Sequence, residues 1–160
     1  MKLICGGQSG VDRAVLDVAI EQAIDYGGWC PKGGWAEDFP QPPGLLARYP
    51  ALAATPLADP AQHTEWNVRD ANACMIVADA GGLAVSAGTA LAQELAHRDR
   101  KPVFVADLSK PDMVKHAALW LRVQKARHGT GLTLAIGGPR ESEAPGIYAR
   151  AAGFIRAFLE

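Results

Sequence analysis

A short apolar segment runs into a glycine-rich turn at three places in the chain, and this repeat limits the folds open to it. The segments are residues 3–5, 74–78 and 132–136, and the glycines that follow them are Gly6, Gly7 and Gly10, then Gly81, Gly82 and Gly88, then Gly137 and Gly138. The run at 74–78 is apolar throughout, which suits a strand covered on both faces. Strands that alternate with helices predict an α/β fold, with a doubly wound, mostly parallel sheet and helices on both faces.

Length and composition predict a single soluble globular domain spanning residues 1–160. The chain is 49% hydrophobic and 21% charged, which is enough apolar sequence for a sizeable core. Sixteen basic and 17 acidic side chains give a net charge of -1 without a Lys/Arg-rich run, so no nucleic-acid partner is expected. The first apolar run ends at Gly6, too early for a signal peptide or a membrane span. We therefore expect a cytoplasmic protein with no membrane partner.

Cysteine and histidine spacing predicts no metal site. Cys5, Cys30 and Cys74 are far apart and odd in number, which favours a reducing compartment and argues against disulfides or thiolate ligands. The four histidines also lack the spacing of metal ligands. Cys30 could act as a nucleophile if Lys32 lowered the pKa of its thiol, but a buried apolar role is commoner for a single cysteine.

The first glycine turn, residues 6–10, leads into a helix from Val11 and predicts an anion site. Glycines let a ligand approach the backbone, and the first amides of a helix have no partner within it. The turn reads GGxxG, unlike a dinucleotide or P-loop fingerprint, so a tight turn without a ligand is the alternative. We expect the three turns to meet at one sheet edge, where hydroxyls of Ser9, Ser86 and Thr89 add hydrogen bonds.

Residues 32–60 are predicted to be a long loop without a regular helix. The segment is rich in glycine and proline and includes Pro40, Pro42, Pro43, Pro50 and Pro56. Lys32, Arg48 and Tyr49 could close over a ligand, and a rigid surface wrap is the alternative. Aromatic faces for a purine or a pterin are offered by Trp29, Trp35 and Trp66. Trp120, predicted on the exposed side of a helix, suggests an interface.

Five blocks of the sequence resemble the molybdenum carrier family, also called molybdenum cofactor carriers. The blocks are residues 5–17 (CGGQSGVDRAVLD), 28–38 (GWCPKGGWAED), 64–70 (TEWNVRD), 86–90 (SAGTA) and 137–148 (GGPRESEAPGIY). They occur in family order over nearly the whole chain. The family belongs to a Rossmann-like superfamily that includes the LOG or lysine-decarboxylase-like nucleotide enzymes. The resemblance implies a Rossmann-like homo-oligomer, a dimer or tetramer, with molybdoenzymes as candidate partners.

The resemblance also implies an anionic ligand, either molybdate or the molybdenum cofactor, which is a pterin with a phosphate and a molybdenum oxo centre. Oxygens of both accept hydrogen bonds from amides, hydroxyls and cations. The implied binding residues are Gly6, Gly7, Gln8, Ser9, Gly10, Lys32, Asn67, Arg69, Ser86, Gly88, Thr89 and Arg140. Lys32, Arg69 and Arg140 are the implied counter-charges, although Arg69 could instead pair with Asp70 or Glu65.

Three positions depart from the family pattern. Ser9 stands where members often have Thr, a conservative change that keeps the hydroxyl. Gly34 and His63 stand where members often have Arg, so each removes or weakens a positive charge. His63 would then make a pH-dependent contact. These departures bear on ligand identity and affinity, not on the fold.

The competing classes are a nucleotide sensor and an enzyme that resembles LOG-type phosphoribohydrolases, which act on nucleoside monophosphates. Those enzymes use an acidic residue shortly after the Thr that begins the helix. Here the first acid after Thr89 is Glu94, which a helix places on another face. Asp12 or the pair Glu37-Asp38 could serve as a base. Each has a simpler role, since Asp12 in a first helical turn suits the helix dipole and Glu37-Asp38 can order the loop. We predict a non-catalytic binding protein, with a nucleotide as the alternative ligand.

Overall fold

A computed structural model describes all residues 1–160 and contains one six-stranded, all-parallel sheet. The strands are β1 (Lys2–Ile4), β2 (Asp25–Cys30), β3 (Leu52–Ala54), β4 (Ala73–Ala78), β5 (Val103–Asp107) and β6 (Thr133–Gly137). Their order across the sheet is β3-β2-β1-β6-β4-β5. The last strand in sequence therefore lies between the first and the fourth, with Leu134 beside Leu3 and Ala73. The predicted α/β, doubly wound, Rossmann-like fold is confirmed.

Six α-helices accompany the sheet. They are α1 (Val11–Glu21), α2 (Leu45–Arg48), α3 (Pro60–Asp70), α4 (Ala87–Arg98), α5 (Met113–His128) and α6 (Ile147–Leu159). Short 3-10 turns occupy Lys32–Gly34, Gly82–Val85 and Gly129–Gly131. None of the helices combines the length and the apolar character needed to cross a membrane.

Alternate residues of the central strands pack into two separate cores. Leu3, Met75 and Leu134 belong to the larger core, which is closed by α1, α5 and α6. Ile4 and Cys74 belong to the smaller core, together with residues of α3 and α4. Every residue of β4 is buried, as its unbroken apolar sequence predicted. The two cores show that helices cover both faces of the sheet.

The prediction of a loop without a helix at residues 32–60 is wrong in two places. Helix α2 forms one turn after Gly44, beyond the proline pair, so no proline lies inside it. Strand β3 lies between Pro50 and Pro56 and pairs with β2, which adds a strand to the edge of the sheet. No proline lies within helix α2 or strand β3, so neither element needs a backbone N–H that proline lacks. The prolines therefore do not prevent the helix or the strand from forming.

Three smaller predictions are also corrected. The sequence predicts a last helix that starts at Pro145, with apolar residues at helical spacing. This helix, α6, begins two residues later at Ile147, and the predicted apolar positions are buried. Trp120 is half-buried and packs against Phe104, with ring centroids 5.5 Å apart. Tyr49 does not close over a ligand, because it is buried and its hydroxyl donates to Asp17 at 2.6 Å. Arg48, on the same turn, lies over the Tyr49 ring.

Candidate functional site

A cavity of about 350 Å³ opens near the carboxyl ends of β1 and β6, on the face of the sheet covered by α3 and α4. Its floor includes Ile4, Ile76 and Ala135 of the central strands. One wall is a single face of α3, formed by Pro60, His63, Thr64 and Asn67. The opposite wall is the start of α4. Ligands of open parallel sheets bind at this position, outside the strand ends where the chain reverses its winding.

The structure brings seven of the twelve sequence-predicted site residues to this cavity. Those that line it are Gly6, Gln8, Asn67, Ser86, Gly88, Thr89 and Arg140. Those that do not are Gly7, Ser9, Gly10, Lys32 and Arg69. The cavity also contains Asp12, His63, Trp35 and Glu143, which the sequence prediction did not include among the binding residues.

The first glycine turn is occupied by a carboxylate of its own helix. The amides of Gly6 and Gln8 donate to Oδ2 of Asp12 at 3.1 and 3.3 Å. Asp12 is buried, and burial raises the pKa of its carboxyl from 3.8 to about 7, although the two amide hydrogen bonds favour the charged form. Two of the amides that were expected to hold an external anion here, those of Gly6 and Gln8, are therefore already used.

The rest of the first turn is held by packing and by side chains outside the cavity. Ser9 donates its hydroxyl to Glu37 and accepts from the amide of Glu141 at 3.1 Å. Gly10 has φ 80°, and a β-carbon there would lie 2.4 Å from the carbonyl oxygen of Pro139. The first and third turns meet as predicted, but this contact packs backbone against backbone and leaves no room for a ligand.

The start of α4, at the cavity wall, also has free amides. Ser86 caps the helix, because its hydroxyl accepts from the Thr89 amide at 3.2 Å and from the Thr89 hydroxyl at 2.8 Å. The amides of Ala87 and Gly88 have no acceptor within the protein. No atom lies within 4 Å of the position that a β-carbon on Gly88 would take. Two free amides, one end of a helix dipole and open space thus coincide at the cavity wall.

Of the three predicted counter-charges, Arg140 alone lines the cavity. Its guanidinium lies 3.5 Å from the Glu37 carboxylate and 3.3 Å from that of Glu143. Lys32 is exposed and does not line the cavity. Arg69 pairs with Asp70 at 2.7 Å, which was the alternative for this residue, and stacks on the Trp66 ring.

His63 does not behave as the pH-dependent contact that was expected. Burial lowers the pKa of its imidazole from 6.5 to about 4, so the ring is neutral at physiological pH. Its ring atoms lie 2.7 and 2.8 Å from the position of a β-carbon on Gly6, and its Nδ1 is buried without a partner. The sequence did carry a signal for this wall, since Pro60, His63, Thr64 and Asn67 have the spacing of one helical face.

Two other predicted features are engaged in the fold. Asn67 accepts from the amide of Trp29 and donates to its carbonyl, both at 2.8 Å, so both polar atoms of its side chain are used. Trp29 and Trp66 stack edge to face with centroids 4.7 Å apart and do not line the cavity. Trp35 does line it, and is the aromatic wall available to a planar ligand.

Nucleophilic and metal chemistry find no support in the site. All three cysteines are buried, and burial raises the pKa of the Cys30 thiol to about 11, which overturns the thiolate alternative. No group of three His, Cys, Asp or Glu side chains is arranged to hold a metal ion. Glu94 is exposed and lies outside the cavity.

A doubly wound parallel sheet with a crevice at its strand ends defines a Rossmann-like binding domain. The chain belongs to the family described as the circularly permutated YpsA SLOG family, which matches residues 3–159. It is also similar to a crystal structure named "Putative molybdenum carrier protein" from Syntrophus aciditrophicus SB, with 36% identity and a TM-score of 0.84 over 99% of this chain and 94% of that one. Comparison with curated proteins gives no match. The resemblance drawn from the five sequence blocks is confirmed.

Proposed function

We propose that this protein binds and carries an anionic small molecule whose phosphate or oxyanion lies at the start of α4. The observation that carries this proposal is the pair of free amides at Ala87 and Gly88, which open on a cavity that also contains Arg140. Hydrogen bonds from unpaired helix amides suit an anion, and the helix dipole adds to them. The Ser86 and Thr89 hydroxyls lie at the same end of the cavity.

The charges of the cavity favour a ligand with one anionic group and a larger uncharged body. Asp12 and Glu143 are acidic and Arg140 is basic, so the wall is not strongly positive. A volume of about 350 Å³ exceeds what molybdate alone requires and lies within the range of small-molecule sites, roughly 300–1000 Å³. We therefore favour the molybdenum cofactor as the cargo, in keeping with the name of the similar Syntrophus protein.

A second candidate function is supported by Asp12. A carboxyl whose burial raises its pKa to about 7 can hold or release a proton at neutral pH, as a general acid or base must. In this alternative the ligand is a nucleoside monophosphate, either sensed or hydrolysed. Release of free base from a nucleoside monophosphate, with loss of turnover in Asp12→Asn, would favour the hydrolase.

We also propose that the protein works in the cytoplasm as a homo-oligomer and passes its cargo to molybdoenzymes. Three buried, unpaired cysteines are consistent with a reducing compartment. Exposed apolar side chains occur on the edge strand β5, at Val105, and on α5, at Leu119 and Val123. Such side chains are candidates for subunit contacts.

The carrier function is tested by native mass spectrometry with molybdenum and pterin analysis. The protein is purified without oxygen from a host that makes the cofactor. We expect a stoichiometric adduct that is lost in Arg140→Gln and kept in Arg156→Gln, a matched control whose ion pair with Glu21 lies outside the cavity. A clean mass without adduct, combined with thermal stabilisation by nucleotides and none by molybdate, would move the assignment to the nucleotide alternative.

A further inference from the structure

The inner wall of the cavity carries a carboxylate oxygen that the protein leaves unused. Oδ2 of Asp12 accepts hydrogen bonds from the Gly6 and Gln8 amides of the first turn. Oδ1 receives no hydrogen bond from any donor in the chain. Oδ1 has no partner and is not fully buried, and Asp12 lines the cavity. This oxygen is therefore open to a ligand. Because Oδ2 is held by two amides, the carboxylate is fixed in orientation.

Gln8 presents a second acceptor beside it. Its Nε2 donates to the carbonyl of Gly6 at 3.1 Å and to that of Trp35 at 3.0 Å. These two bonds fix the orientation of the side-chain amide and leave Oε1 without a donor. The backbone amide of Gln8 is bonded to Oδ2 of Asp12, and both residues line the cavity.

His63 completes this wall from the side of α3. The position of a β-carbon on Gly6 lies 2.8 Å from Nε2 of His63 and 3.0 Å from Oδ2 of Asp12, which places the imidazole next to the carboxylate. His63 is 7% exposed, and its Nδ1 has no partner. A buried polar atom without a partner is costly, and Nδ1 is buried too deeply for a ligand in the cavity to reach it.

We propose that Asp12 recognises the 2-amino-4-oxopyrimidine edge that pterins and guanine share. This edge presents a ring N–H and an exocyclic amino group side by side, and both donate to acceptors. Oδ1 of Asp12 accepts from the edge, and Oε1 of Gln8 accepts a remaining N–H. The inference rests on the proposed function, because the anionic group of the same ligand occupies the start of α4.

The chemistry of the wall also defines what it rejects. Hypoxanthine lacks the 2-amino group, and adenine lacks the ring N–H, so each leaves at least one acceptor without a donor. A site built to accept such donors discriminates strongly against analogues that lack them, since its buried acceptors are then unpaired. Trp35 can stack on the ring system of either source, so stacking alone does not select between pterin and guanine.

Binding in this mode should release a proton near neutral pH. Burial raises the pKa of Asp12. Glu143 and the Cys5 thiol, when ionised, act on Asp12 with like charge in the same direction, whereas the positive charge of Arg13 lowers the pKa. His63 is neutral and does not offset the carboxylate. Two donors from the ligand favour the ionised form and lower the pKa of the carboxyl in the complex. Affinity should therefore fall as the pH decreases below 7.

The test is titration calorimetry of the whole protein with two pairs of probes. The nucleotide pair is guanosine and inosine 5′-monophosphate, and the pterin pair is 6-carboxypterin and 6-carboxylumazine, which has oxygen in place of the 2-amino group. We expect the amino-bearing member of at least one pair to bind about 10-fold tighter or more, the loss that one hydrogen bond to a charged group produces. The pair that discriminates identifies the source of the edge.

Asp12→Asn should reverse this preference. The Asn oxygen must accept the Gly6 and Gln8 amides, so its amino group takes the place of Oδ1 and offers a donor. Affinity for 6-carboxylumazine or xanthosine monophosphate should then rise relative to the amino-bearing probe, which also proves that the variant is folded. Asp17→Asn, on the same helix but outside the cavity, should leave the preference unchanged.

The outcomes separate this inference from the proposed function. Equal binding within each pair, or an Asp12→Asn variant with unchanged preference, overturns the recognition of the edge while the anion site stands. The nucleosides guanosine and inosine are the phosphate-free controls. If guanosine binds as tightly as its monophosphate, the anion site is overturned. A preference for guanosine over inosine would still support recognition of the edge by Asp12. No binding of any probe overturns the recognition of the edge, and the adduct measured by native mass spectrometry then decides the anion site separately.

Discussion

The amide of Gly6 donates to Oδ2 of Asp12 at 3.1 Å, so the first glycine turn closes on a side chain of the helix that follows it. A glycine turn before a helix is commonly a place for an external anion. Here the turn already holds a negative group, and free amides at the opposite wall of the cavity belong to Ala87 and Gly88. The site thus separates a fixed acceptor at one wall from free donors at the other.

Replacing Gly88 with alanine should weaken anion binding without harming the fold. A β-carbon there meets no atom within 4 Å, and in a helix alanine is favoured over glycine by up to about 1 kcal/mol. The methyl group would project beside the free amides and should reduce affinity for a phosphate-bearing ligand by about 10-fold, the value of one charge-assisted hydrogen bond. Calorimetry measures the affinity, and urea unfolding measures the stability.

Gly153→Ala is the matched control for this change. Gly153 is an exposed helical glycine in α6, and a β-carbon there also meets nothing within 4 Å. It should gain stability in the same way and bind ligand as the wild type does. Equal affinity in both variants would place the anion away from the start of α4.

Removing the Arg13 side chain should destabilise the protein. The guanidinium of Arg13 is 9% exposed, pairs with Asp38 at 2.7 Å and donates to the carbonyl of Gly7. Arg13→Ala leaves that buried carbonyl without its donor, which costs about 1–3 kcal/mol. Arg156→Ala, which breaks an exposed pair with Glu21, should cost less than about 1 kcal/mol. Urea unfolding compares the two, and equal losses would contradict a structural role for Arg13.

Two titratable groups of the cavity, Asp12 and His63, should act on stability with opposite signs. Between pH 3.8 and about 7 the folded state keeps a proton on Asp12 that the unfolded state loses, so stability falls with rising pH by up to about 4 kcal/mol. Between about pH 4 and 6.5 the unfolded state keeps a proton on His63 that the folded state loses, so stability rises by about 3 kcal/mol. In the wild type the two trends should largely cancel.

Single variants reveal each trend. The free energy of unfolding of ligand-free Asp12→Asn should increase from pH 4.5 to 6.5, and that of His63→Gln should decrease over the same interval. Urea titrations at several pH values measure both. Parallel profiles in the two variants would show that neither group is perturbed by burial as described.

The cysteine thiols should react slowly with an alkylating reagent at pH 7. All three are buried, and burial raises the pKa of the Cys30 and Cys74 thiols to about 11, so little thiolate is present. Mass spectrometry should show three labels per chain in urea and almost none in native buffer over the same time. Rapid native labelling of Cys30 would restore it as a candidate nucleophile.

The fold could be predicted from the sequence because its signals are local. The apolar run at 74–78 needs cover on both faces, and the glycine turns mark the strand ends, so the parallel sheet follows from neighbouring residues. Strand β3 was missed because proline content dominated that region, and its pairing with β2 is a tertiary contact. No local pattern reveals such a partner.

The site was harder to predict because its chemistry depends on which polar groups are already used. The glycine turn at residues 6–10 has the sequence of an anion site. Only the structure shows that Asp12 accepts hydrogen bonds from two of its amides, those of Gly6 and Gln8. From its place in the first helical turn, Asp12 was assigned to the helix dipole. Its hydrogen bonds with the Gly6 and Gln8 amides depend on the geometry of the turn, which the sequence does not show. His63 was expected to titrate near neutral pH, and burial that sequence does not show prevents this.

The position of β6 between β1 and β4 has a consequence for synthesis of the protein. A ribosome makes residues 133–137 long after both neighbouring strands, so a nascent chain that ends before them leaves the middle of the sheet open. The cavity floor takes Ala135 and Ile136 from this strand. The cavity is therefore complete only after residues 133–137 have been made and have entered the sheet.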